Sequence, residues 1–168
     1  MIGDISTQTE IDGEKVAEAF LESRKGVGYD WPCGGYLASG VGNPPLGGTL
    51  KIPDKFGVSV SIDKPVVGKR EDWPAVQKML PLDPMKDGRC RGTLQSIKII
   101  SKAVGDTHPL FSAYYTGITA ANILFRKVEA LTLDAIEDPE FVDGLCKAAT
   151  AWCNDWIRAQ YEAGCNSF

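Results

Sequence analysis

Near the end of the chain the apolar positions recur at alternating three- and four-residue steps: Val142, Leu145, Ala149, Trp152, Trp156, Ala159 and Ala163. That spacing lays one apolar stripe along an α-helix and predicts such a helix over 138–163, with two tryptophans in the stripe. Asp138-Pro139-Glu140 puts a cap residue, a first-turn proline and a first-turn acid at its start, and Gly164 stops it. Cys165-Asn166-Ser167-Phe168 then reads as the opening of a buried strand. The same periodicity predicts a helix over 14–24, capped by Asp12 and ended by Gly26 and Gly28. Another is predicted over 93–104, where Leu94, Ile97, Ile100 and Val104 share a face ahead of Gly105. Shorter helices are predicted over 36–41, 71–79, 117–125 and 128–137, with 82–88 as loop.

Between these lie segments of a different period. Residues 48–52 and 57–62 alternate and are separated by Pro53-Asp54-Lys55-Phe56, which reads as a β-hairpin, with Lys64-Pro65-Val66-Val67 as an added edge. A short strand over 29–33 is expected to end where Gly34-Gly35 lets the backbone turn. The run from Pro109 to Tyr115 is apolar and aromatic and fits a buried parallel strand. Helix and strand therefore alternate, interrupted by one antiparallel excursion, which predicts an α/β fold with a parallel core in a single domain over 1–168.

Composition narrows the function classes. Eighteen basic against twenty-two acidic residues give a net charge of −4, and the basic residues are scattered, so nothing tracks a phosphate backbone and nucleic acid is not an expected partner. No apolar run is long enough to span a bilayer, and Met1-Ile2-Gly3-Asp4 lacks the basic-then-apolar order of a signal peptide. A cytoplasmic location is the expectation. The five cysteines, Cys33, Cys90, Cys146, Cys153 and Cys165, are odd in number and widely spaced, which reads as reduced thiols. Gly34-Gly35 and Gly47-Gly48 form no phosphate-binding fingerprint. The one histidine, His108, precedes a proline at a strand entrance, a surface or capping position, and no bound metal is expected.

Several segments, in order, resemble the uroporphyrinogen decarboxylase superfamily, which includes corrinoid-dependent methyltransferases. They are Gly28-Tyr29-Asp30 with the segment ending in Gly42, the run from Trp73 to Gly88 with its Leu-Asp-Pro-Met-Lys-Asp-Gly-Arg, and Gly105-Asp106-Thr107-His108-Pro109-Leu110. Thr116-Gly117-Ile118-Thr119-Ala120-Ala121 is similar to the family's turn into a helix. The most specific pair is Glu137-Asp138-Pro139-Glu140-Phe141-Val142 with Gln160-Tyr161-Glu162-Ala163-Gly164-Cys165.

The resemblance implies a partial TIM (β/α)8 barrel, a half-barrel matching the N-terminal half of the family, since such barrels typically run to about 250 residues. Its sheet edges would be unpaired, so a homodimer or a complementary C-terminal half-barrel chain is the expected partner. The family's methyltransferases hold zinc through a His-x-Cys pair and a later Cys in the C-terminal half, so no cofactor is expected on this chain, and a corrinoid would sit on a partner protein. The decarboxylases use an aspartate after the second strand, a tyrosine and an arginine-rich N-terminal loop. Here no acidic residue lies between Trp31 and Gly42, the tyrosine position is Ile123, and the loop is missing, which points to the methyltransferase branch. The alternative is a non-catalytic assembly subunit or fragment that pairs with a second half-barrel. Barrel sites form at the C-terminal ends of strands, which makes Asp30, Tyr115, Thr116, Thr119 and Asn122 the candidate substrate-binding residues. Against this stand plainer roles: a turn carboxylate for Asp30, core packing for Tyr115, helix capping for Thr116 and Thr119, and a solvated helix position for Asn122.

Overall fold

The computed structural model describes residues 12–28, 33–35, 42–52, 60–105, 108–112 and 115–168. Helix α1 (Gly13–Val27) starts where expected, because the Asp12 carboxylate accepts the free N–H groups of Glu14 and Lys15 at 3.1 and 3.2 Å. It runs three residues past the predicted end, to Gly28, whose N–H closes on the Arg24 carbonyl. The Gly34-Gly35 turn is corrected: strand β1 (Cys33–Gly35) includes both glycines, with an irregularity in its register between Cys33 and Gly35. Ladder bonds to a neighbouring strand outweigh the local turn preference of the pair. The expected helix over 36–41 lies outside the described residues. The hairpin forms from β2 (Thr49–Lys51) and β3 (Ser61–Lys64), antiparallel, with Thr49 opposite Lys64. A short helix α2 (Trp73–Gln77) follows a single 3-10 turn.

Helix α3 (Gly88–Val104) begins five residues before the predicted start. Its nucleus is the buried Asp87, whose Oδ1 accepts the Arg89 N–H at 2.7 Å. Two hydroxyls on its buried face bond back to the helix itself, Thr93 to the Arg89 carbonyl and Ser96 to the Thr93 carbonyl. Polar residues can therefore lie in the packed face without orphaned groups. After β4 (Phe111–Ser112), helices α4 (Gly117–Leu124), α5 (Val128–Glu137) and α6 (Pro139–Ala163) match their predicted bounds to within a residue.

Strand β4 is central. It pairs in parallel with β1, Cys33 opposite Phe111, and on its other side makes a parallel bridge to Ser167. The segment after α6 thus joins the ladder as a strand should, with its Asn166 and Ser167 N–H groups both reaching the Leu110 carbonyl. The two strand-helix-strand passages and the parallel ladder make this an α/β fold.

The helices cover one face of that ladder. Leu110 and Cys165 are buried in a core with Ile97, Ile100, Leu145, Ala149 and Trp156 from α3 and α6. Each fully buried aliphatic side chain there contributes about 1.5–3 kcal/mol. The predicted stripe of α6 is the main donor, and its Trp152 and Trp156 stack at 6.1 Å between ring centroids. Side chains alternate along a strand. Leu110 is 1% exposed, whereas the next residue, Phe111, is 41% exposed. Phe111 therefore points away from that core.

Buried charges knit the helical layer. Asp134 of α5 accepts from Arg70 Nε at 2.7 Å and from Arg126 Nε, and Arg126 Nη1 also donates to the carbonyls of Val67 and Gly68. Arg70 bonds Glu137 at 2.5 Å. Burial alone would raise the Asp134 carboxyl, but the two guanidinium partners hold it below its ordinary value. His108 lies against α1, where Arg24 Nη2 meets its Nε2 at 2.8 Å; since a guanidinium can only donate, that ring nitrogen accepts.

Candidate functional site

In a parallel α/β sheet the C-terminal ends of the strands and the loops leaving them form the natural binding rim. The described part of that rim is the passage from β4 into α4. The ladder ends at Ser112, and Tyr115 and Thr116 lead into the helix. Tyr115 is half-buried and packs against the core, as its plainer role has it.

Thr116 occupies the N-cap position of α4 with extended backbone, φ −131° and ψ 161°, yet its side chain makes no cap hydrogen bond. The capping role is therefore corrected for Thr116: the exposed hydroxyl is not consumed by its own helix. No acidic side chain stands in the first turn of α4 either. The leading N–H groups of the helix thus keep their partial positive charge at the rim.

Thr119 is exposed in the first turn, and Asn122 is half-buried one turn further on. Thr116, Thr119 and Asn122 follow one another at three-residue spacing along α4, bordered by the buried Ala120 one turn after Thr116 and the buried Ile123 one turn after Thr119. Tyr115, Thr116 and Thr119 follow one another at the junction, with Asn122 about 4.5 Å beyond Thr119 along the helix by the 1.5 Å rise per residue. Asp30 lies outside the described residues.

Sequence reasoning missed a second feature that the rim depends on. Asp87, ahead of α3, uses Oδ2 to accept the Gly42 N–H at 2.7 Å, so a buried carboxylate ties the loop after β1 to the start of α3. Its signal was in plain view, since Asp-Gly before an apolar-periodic run is an N-cap pattern; the glycines at 88 and 92 masked it. Arg89 beside it is buried, and burial pushes its guanidinium below the ordinary value, against the opposing pull of Asp87. Asn43 in the same loop is wholly buried and donates to the Leu124 carbonyl at 3.1 Å, which fixes that loop against the end of α4.

A separate cavity of about 370 Å³ lies between the 81–85 turn and α6, lined by Leu82, Asp83, Met85, Asp155, Arg158 and Glu162 among others. None of the strand-end residues borders it. Cys90, Cys146, Cys153 and Cys165 are not in disulfides. Burial raises Cys90 well above the ordinary range and Cys153 to about 11, which suits packing and not nucleophilic chemistry. Among the described residues no three His, Cys, Asp or Glu side chains form a group that could hold a metal ion. No described helix is long and apolar enough to cross a membrane.

Comparison with known proteins places this geometry. A solved methyltransferase from Methanosarcina mazei superposes with a TM-score of 0.77 at 21% sequence identity, over 95% of this chain and 45% of its own. The chain thus spans less than half the length of that structure, and at this identity the likeness is one of fold. No curated protein sequence matches significantly. The family profile described as uroporphyrinogen decarboxylase (URO-D) matches residues 11–168, from the cap of α1 to the last strand. The chain therefore belongs to the uroporphyrinogen decarboxylase (URO-D) family.

Proposed function

We propose that the chain forms part of a (β/α)8 barrel of the corrinoid-dependent methyltransferase branch, corresponding to the N-terminal half of the barrel. Its rim would receive a methylated corrinoid carried by a partner protein in the cytoplasm. The observation that carries this reading is the junction after β4, where Tyr115, the unspent Thr116 hydroxyl and the uncapped start of α4 meet at the C-terminal end of a parallel strand. A corrinoid supplies a transferable methyl group on cobalt. The chain's own groups are suited to binding and orientation. Thr116 and Thr119 can donate to amide or carboxylate oxygens on the edge of a corrin ring, and the α4 N-terminus favours a negative or carbonyl oxygen.

Two points favour methyl transfer over decarboxylation. Ile123, which stands where the family's decarboxylases have a tyrosine, is buried inside α4, so no hydroxyl reaches a substrate from that position. The structural neighbour is itself a methyltransferase. Equilibrium binding of methylcobalamin and of uroporphyrinogen to the purified chain tests the reading. Methylcobalamin is expected to bind, and Thr116→Val with Thr119→Val to weaken it about tenfold, as loss of hydrogen bonds to a bound ligand should. Binding of uroporphyrinogen alone, or of neither, would overturn it.

A further inference from the structure

We draw no further inference here: the strongest candidate, the cavity of about 370 Å³ between the 81–85 turn and α6, offers only the acidic cluster of Asp83, Asp155 and Glu162 around an apolar floor, and nothing in the structure shows what ligand would occupy it.

Discussion

Asp134→Ala should be among the most damaging single changes in this chain. The carboxylate is 3% exposed and holds two guanidinium groups, Arg70 at 2.7 Å and Arg126. Arg126 cannot follow its lost partner to water, because its Nη1 is also fastened to the carbonyls of Val67 and Gly68 at 3.1 and 2.9 Å and its guanidinium lies over the Phe141 ring at 5.8 Å. The substitution therefore leaves a buried cation with neutral partners only. Breaking a buried pair in this way costs about 3–5 kcal/mol. For a domain of this size that is about 6–20 °C in melting temperature, a large share of a typical folding stability of about 5–15 kcal/mol.

Arg70→Ala removes the more exposed partner and should cost clearly less than Asp134→Ala. The paired change Asp134→Leu with Arg126→Met should recover most of the loss, because no charge then remains buried. Thermal and urea unfolding followed by circular dichroism measures all three. A loss below about 1 kcal/mol for Asp134→Ala would refute the reasoning, as would a double variant no better than the single. The pH sign follows from the depressed carboxyl. Stability from Asp134 is fully present above its ordinary value of 3.8 and disappears as pH falls through the lower folded value, so the Asp134→Asn variant should lack this part of the acid-side slope.

Other outcomes follow from the packing. A Cβ on Gly13 would stand 2.5 Å from the Gly92 carbonyl oxygen, where α1 crosses α3 backbone to backbone, so Gly13→Ala should cost about 1–3 kcal/mol in urea unfolding; a neutral result would mean the two helices can separate freely. Gly164 has φ +117° and a Cβ there would lie 2.4 Å from the Ser101 hydroxyl, so Gly164→Ala should lower the melting temperature by several degrees, more than an Ala at the exposed Gly26. Alkylation at pH 8 read by mass spectrometry should modify the half-buried Cys146 before Cys153 or Cys90, and prior modification of Cys153 would contradict its burial.

Much of the helical layer was legible because its signals are local. The stripe of α6, the Asp138-Pro139 start and the Gly164 stop lie within a few residues of what they specify, and the bounds of α4, α5 and α6 followed to within one residue. Where a local signal competed with a distant one, the reading slipped. Gly34-Gly35 looked like a turn until a strand more than seventy residues away bonded to it, and α3 looked shorter because Gly88 and Gly92 disguised the cap supplied by Asp87.

The candidate site divides in the same way. Sequence alone named Tyr115, Thr116, Thr119 and Asn122 as rim residues, since a strand running into a helix can be seen in the local pattern. That the Thr116 hydroxyl is left free, that Asp87 clasps the Gly42 loop, and that Arg126 and Asp134 share a buried pair were decided by groups brought together from distant parts of the chain. The family and the order of elements were thus written in the sequence, because periodicity and caps are short-range. Which ladder face the helices cover, with Leu110 turned toward them and Phe111 away, was decided only in three dimensions, because the alternation of a strand says that its two faces differ and not which one the helices will cover.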